Sequence, residues 1–335
     1  MAKTSERERV AGVLERFVQS NGQDAREWNA FLEDRTLESD LRPVRDRAKQ
    51  LDPMVNVAGS EPEPTAMDEI RQMVATLRGA KKMAGTIKVD IKRQSNPDAA
   101  PVTERFEIPY RKGMNITSLL GEIAMEPTTA DGKASTPISY DANCLEEICG
   151  SCAMLINGKA RMACSALVDK LMAETKDGVI SLAPLSKFPV VRDLAVDRSV
   201  LFENLKAVKA WVPADGSYDL GPGEKQFPQI QEQRYPLSNC ISCTICMEVC
   251  PQFNDQTNFV GAATIAQVKL FNLDPAGKQL KEERLRALAG DGGVQECGYA
   301  QNCVQACPKQ LPLTEAISDV SRDVIVQQVK DFFVR

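Results

Sequence analysis

Eleven cysteines fall into three short runs, with none elsewhere in the chain. Cys144, Cys149, Cys152 and Cys164 form the first run, Cys240, Cys243, Cys246 and Cys250 the second, and Cys297, Cys303 and Cys307 the third. An odd total at spacings of two and three residues suits disulfides badly, because near neighbours rarely meet the geometry of such a bond. Thiolates bound to metal in a reducing compartment fit better. Histidine is absent, which removes the commonest acid-base residue near neutral pH and every mixed Cys/His zinc site. The chemistry left is that of all-thiolate metal centres, and three of them in one chain point to electron conduction.

The first run reads C-x4-C-x2-C with a distant fourth cysteine, the plant-type ligand set for a 2Fe-2S cluster. Gly150 and Ser151 are small where backbone must wrap closely around sulfide. A four-cysteine structural zinc site is the competing reading, although such sites normally use paired short spacings. The second run, C-x2-C-x2-C-x3-C-P ending at Pro251, is the bacterial ferredoxin pattern, in which the fourth cysteine ligates the other cluster. The third run repeats it with Ala300 at one ligand place and Pro308 after Cys307. Exchange of the fourth ligands gives Cys240, Cys243, Cys246 and Cys307 to a complete 4Fe-4S site. Cys250, Cys297 and Cys303 are left for a site one thiolate short. That depleted site is expected to hold 3Fe-4S at a higher potential than the 4Fe-4S site; an intact 4Fe-4S cluster with water on the fourth iron is the alternative.

Three regions must position these runs, and the expected fold class is α+β. In residues 1–85, Val10, Val13, Leu14, Phe17 and Val18 recur at helical spacing, as do Ile70, Met73, Val74 and Leu77, while Trp28, Phe31 and Leu32 offer another apolar face. Gly59 to Thr65 reads as a stiff linker ending in a helix cap, with Asp68 three residues after Thr65. This helical N-terminal extension has no assigned role. Residues 86–185 are expected to be a β-grasp 2Fe-2S domain: Ile87, Val89 and Ile91 alternate with polar residues, Phe106 and Ile108 follow a turn, and Ile116, Leu119, Leu120 and Ile123 share a helix face. Short strands are expected at Ala153–Ile156 and near Val179–Leu182, with Asn157-Gly158 as a tight turn. Strand signals fade beyond about residue 186. Residues 186–335 therefore read as an α-helical two-cluster ferredoxin domain, with helices near Val200–Val208, Ala262–Phe271 and Leu280–Ala289 and a turn at Leu220–Gly223.

At 335 residues the chain has room for two or three cores. No apolar run approaches the roughly 18 to 20 residues that cross a bilayer, and the charged N-terminus is unlike a secretory signal. A net charge of -5 without a basic cluster gives no reason to expect nucleic acid. No catalytic residue is assigned: Glu146 and Glu147 read as solvated loop acids and Asp291-Gly292-Gly293 as a turn.

A plant-type domain followed by a two-cluster domain with one ligand missing resembles the iron-sulfur subunit of succinate dehydrogenase and fumarate reductase. Cys149-Gly-Ser-Cys152, Ile156-Asn-Gly158, Pro189 to Leu194, Asn302-Cys303 and Cys307-Pro-Lys309 resemble family motifs, and the similarity runs from about Gly85 to the C-terminus. The resemblance implies an electron-carrying subunit of an oxidoreductase complex, between an FAD-containing flavoprotein subunit and a membrane anchor that holds quinone and heme b. It implies a peripheral place on the cytoplasmic face of the inner membrane. Family members that help build a quinone pocket place a tandem Trp where Asn254-Asp255 stands here and a His where Gly298 stands, so no quinone site is carried to this chain. Cys144-Leu-Glu-Glu-Ile-Cys149 is closer to the branch with two hemes and menaquinone. The iron-sulfur partner of another flavoprotein, such as a heterodisulfide-reductase-like complex, needs no plant-type domain; a zinc-stapled scaffold is the reading from a different class.

Overall fold

The computed structural model describes residues 6–19, 25–34, 41–55, 69–70, 73–74, 85–175, 177–213 and 225–334. The expected linker and cap at Gly59–Asp68, Leu77 and the turn at Leu220–Gly223 lie outside the described residues. The chain divides into two compact units.

One unit takes the chain up to Thr86 together with Pro109–Gly113 and Val168–Gly178. Its helices, among the described residues, are α1 (Glu6–Gln19), α2 (Ala25–Glu33), α3 (Arg42–Val55) and, later in the chain, α5 (Val168–Glu174). The helical spacing read in the sequence becomes a core of its own: Val10, Val13, Leu14 and Phe17 from α1 meet Trp28, Phe31 and Leu32 from α2, with Leu41, Ala48, Leu51 and Ile70. The Phe17 and Trp28 rings stack with centroids 4.1 Å apart. Stacked aromatics of this kind add about 1 kcal/mol to the gain from burial alone.

The other unit carries all eleven cysteines. Its sheet is built from β1 (Thr86–Arg93), β2 (Val102–Pro109), β3 (Ala153–Ile156), β4 (Lys159–Met162) and β5 (Val179–Ala183), in the order β2-β1-β5-β3-β4. β1 and β5 run parallel, while β3 pairs antiparallel with both β4 and β5. Period-two alternation sets one face inward: Ile87, Val89 and Ile91 of β1, Phe106 and Ile108 of β2, and Ile180 and Leu182 of β5 are buried. Helix α4 (Ile116–Met125) buries Ile116, Leu119, Leu120 and Ile123 and starts on Asn115, whose side chain accepts from the Ser118 amide. Asn157 and Gly158, both at positive φ, close the β3–β4 hairpin with the two-residue turn that their types favour.

A short ribbon, β6 (Val190–Arg192) with β7 (Ala195–Val196), follows where strand signals fade. Two- and three-residue strands carry no periodicity to read. What holds the ribbon is distant: Asp193, at its turn with φ +49, is 1% exposed and takes the Arg93 guanidinium at 2.9 and 3.1 Å. The helical half consists mainly of α6 (Ser199–Ala207), α7 (Pro228–Ser238), α8 (Ile245–Glu248), α9 (Ala262–Leu273), α10 (Lys281–Ala287), α11 (Asn302–Ala306) and α12 (Leu313–Phe333). α9, buried through Ala263, Ile265, Ala266 and Val268, packs against α7 and α12 and forms its centre. No helix among the described residues is long and apolar enough to cross a membrane.

Candidate metal centres

The first cysteine run lies on an extended loop between α4 and β3 and closes on the hairpin that returns Cys164. Leu145 and Glu147 alternate into the left-handed region with φ +61 and +56, and Gly150 follows at +76. Left-handed conformations cost a non-glycine residue roughly 1–2 kcal/mol, and the alternation has an evident use, since it turns successive amides to one side. Cys144 Sγ accepts from the amides of Glu146, Ile148 and Cys149 at 3.4, 3.3 and 3.2 Å, and Cys164 Sγ accepts from Glu147 at 3.2 Å. Amides aimed at sulfur stabilise thiolates and tune a bound cluster. The hydroxyl of Ser151 and neighbouring amides pull the Cys149 thiol down to about 6, while burial beside Cys152 pushes Cys164 up to about 11.

The second and third runs share one backbone design. Ser242 and Thr244 have φ +52 and +64; Tyr299 and Gln301, at the same offsets from Cys297 as those two from Cys240, have +52 and +61. A short helix follows each loop, α8 after the second and α11 after the third. Cys240, Cys243 and Cys246 line a cavity together with Cys307 of the third run. Cys250, Cys297 and Cys303 line another, with Ala300 in its wall where a ligand is missing. Each run thus sends one cysteine to the other's cavity.

Burial pushes Cys243 up to about 11, and burial together with the neighbouring Cys243, Cys240, Cys303 and Cys307 sulfurs raises Cys246 well above its ordinary value. Sulfurs so crowded and so far from water need metal cations to exist as thiolates. Among the described residues no three of His, Cys, Asp or Glu converge on a single ion. Cavities lined by four and by three cysteines, with one cysteine of each motif exchanged, fit the ligand pattern of a two-cluster ferredoxin.

Sequence reasoning passed over the groups that hold these loops. Glu248, buried between two cysteines of the second run, accepts from Ser186 Oγ and the Ser186 and Lys187 amides at 2.5, 3.0 and 3.1 Å, and Lys187 Nζ reaches the Cys250 carbonyl. Its place inside a ligand motif was the available signal, since a buried acid there must have partners. Asp193 also accepts from the Ser139 amide at 3.0 Å, anchoring the loop segment that leads to Cys144, while Arg93 keeps Glu104 at 2.7 Å. Burial pushes the Asp193 carboxyl up, but Arg93 and the Ser139 and Gln94 amides outweigh it and hold the group below the usual carboxylate range. Asp193→Asn is therefore expected to cost about 3 kcal/mol, the lower end for breaking a buried pair, because Arg93 retains Glu104. A depressed folded pKa contributes stability above the unfolded value of about 3.9 and loses it as pH falls through the folded value. Urea titrations of native and D193N protein should differ fully at neutral pH and converge in acid below about pH 4.

Fold and loops together define an electron-transfer protein that joins a plant-type ferredoxin module to a two-cluster helical module. Residues 88–203 match the family model of the 2Fe-2S iron-sulfur cluster binding domain, and residues 236–311 that of the 4Fe-4S dicluster domain. The succinate dehydrogenase iron-sulfur subunit of Bacillus subtilis is 48% identical over 248 residues, covering 74% of this chain and 96% of that one. The chain belongs to the family of succinate dehydrogenase and fumarate reductase iron-sulfur subunits, as subunits of an oxidoreductase carrying 2Fe-2S and 4Fe-4S clusters. The fumarate reductase iron-sulfur subunit of Wolinella succinogenes is 33% identical over 190 residues, 56% of this chain and 78% of that one. A chain of the Mycobacterium smegmatis Sdh1 complex in the apo form shares the fold with a TM-score of 0.58 at 21% identity, covering 73% of this chain and 98% of that chain.

Proposed function

We propose that this chain carries electrons between the FAD of a flavoprotein subunit and a membrane anchor holding quinone and heme b, in a complex that interconverts succinate and fumarate. Cys144, Cys149, Cys152 and Cys164 hold 2Fe-2S; Cys240, Cys243, Cys246 and Cys307 hold 4Fe-4S; Cys250, Cys297 and Cys303 hold 3Fe-4S. The observation that carries the reading is the exchange of Cys250 and Cys307 between the two cavities, with Ala300 facing the poorer one. When bound, the clusters supply one-electron redox chemistry. The chain's own residues supply thiolates, sulfur-directed amides and loops held by Glu248 and Asp193.

The three segments 1–85, 86–185 and 186–335 serve as extension, 2Fe-2S domain and two-cluster domain. The complex lies on the cytoplasmic face of the inner membrane, with this chain held there by the anchor. Asn254, Asp255 and Gly298 supply neither aromatic nor imidazole to a quinone, which keeps quinone chemistry in the anchor. Iron, zinc and acid-labile sulfide analysis with low-temperature EPR tests the reading: a 3Fe-4S signal is expected in oxidised protein, and 2Fe-2S and 4Fe-4S signals after dithionite. Zinc in place of iron overturns it.

A further inference from the structure

The loops of the first and second cysteine runs meet at Gly150, and one guanidinium holds that junction. Gly150 is buried, and a Cβ built on it would stand 2.1 Å from the Ile241 carbonyl oxygen and 3.1 Å from the Cys243 amide nitrogen. Arg198, just before α6, donates from Nη1 to the Gly150 carbonyl at 2.8 Å and from Nη2 to the Ser151 carbonyl at 2.6 Å. Both carbonyls lie between Cys149 and Cys152, so the fork clamps the stretch that joins two ligands. Gly150, whose carbonyl it holds, lies against the Ile241 carbonyl and the Cys243 amide, so the guanidinium sits at the junction of the two sets. Its carboxylate neighbour, Asp141, is 3.5 Å away and 52% exposed against 15% for Arg198, so water screens the acid more than the base.

We propose that Arg198 is a positioning residue for electron passage between the first and second cysteine sets: its fork fixes the first loop at Gly150, where that loop meets the second, and its charge favours the reduced cluster on both sides. The inference rests on the cluster assignment above. The step moves one electron from the cluster of the first set to that of the second, with no bond made or broken and no proton moved. Each cluster becomes more negative on reduction, so a fixed, partly buried cation raises both potentials, net charge being one of the levers on such potentials. The fork matters separately, because a lysine keeps the charge but cannot reproduce a planar pair of donors.

Arg198→Gln and Arg198→Lys, made in the assembled complex, separate the two roles. Iron content and EPR signals establish first that the clusters are loaded. R198Q is expected to shift the 2Fe-2S reduction equilibrium at least tenfold toward the oxidised form, 59 mV for a one-electron couple, with 4Fe-4S moving the same way. R198K is expected to keep both potentials and to slow, at least tenfold, the succinate-driven loss of the oxidised 3Fe-4S signal in rapid-freeze EPR. Loaded R198Q with native potentials overturns the proposal. Should R198Q fail to load its first cluster, R198K decides: a native rate overturns the proposal, and a slowed rate at native potentials sustains it. Native protein without iron clusters sinks the cluster assignment itself, a result distinct from either variant's.

Discussion

Ala300→Cys is expected to convert the cluster proposed at Cys250, Cys297 and Cys303 from 3Fe-4S to 4Fe-4S, with one more iron per chain and loss of the oxidised 3Fe-4S EPR signal. Ala300 stands at the vacant ligand place of a C-x2-C-x2-C-x3-C-P motif, between Cys297 and Cys303, and lines the same cavity as both. The neighbouring left-handed residues Tyr299 and Gln301 reproduce Ser242 and Thr244 around Cys243. The backbone is therefore already shaped for a thiolate at this point, and the substitution adds one sulfur on an exposed loop without displacing a buried side chain. A fourth thiolate adds negative charge and retains the corner iron, both of which lower the potential of the site. Electron delivery beyond it should slow accordingly. A 3Fe-4S signal of native size in the variant would show that the cavity does not place residue 300 over the open corner.

The other large effect is expected at Gly150, where alanine should destabilise the chain by roughly 2–5 kcal/mol and abolish the 2Fe-2S signal before the other two. Two costs combine. At φ +76 a Cβ brings the left-handed penalty of about 1–2 kcal/mol, and the added methyl meets the Ile241 carbonyl oxygen at 2.1 Å. Overpacking in a fitted site costs about 1–3 kcal/mol, and here both partners are backbone, so no rotamer change relieves it. Gly158 supplies the control. It has φ +72 but open space around its Cβ direction, so Gly158→Ala should lose only the backbone term. Thermal melts of the two variants, with EPR of the first cluster, measure the contribution of the loop junction by difference. Equal losses at the two positions would mean that the close approach at Gly150 carries no energy.

Much of the molecule could be read along the chain because the relevant physics is local. Cysteine spacing is a property of consecutive residues, and so are the alternation of Ile87, Val89 and Ile91, the helical repeat of Ile116, Leu119, Leu120 and Ile123, and the Asn157-Gly158 turn. Each was found at its expected place. The β6–β7 ribbon was not legible, because its strands are shorter than any period and its turn is fixed by Arg93, a hundred residues earlier. Arg198 was equally silent. Nothing in the surrounding Asp197-Arg198-Ser199 distinguishes a solvated arginine from one that clamps two carbonyls 47 and 48 residues back.

The sequence by itself determined the chemistry available to this protein: all-thiolate centres, one of plant type and two of bacterial type, with one ligand absent and no histidine to support another mechanism. It did so because ligand identity and short spacing are written in residue types. The bacterial motif also carried the exchange of Cys250 and Cys307; only the tertiary structure decided what holds the loops against one another. Cys307 lies beside Cys240, Cys243 and Cys246, and Cys250 beside Cys297 and Cys303, because α8 and α11 bring their loops together. Gly150 touches the second loop, and buried Asp193 and Glu248 with half-buried Arg198 hold it all in register through hydrogen bonds across 47 to 100 residues of chain. Those contacts depend on the packed fold, since a partner so distant in sequence becomes a neighbour only after the core has closed around it.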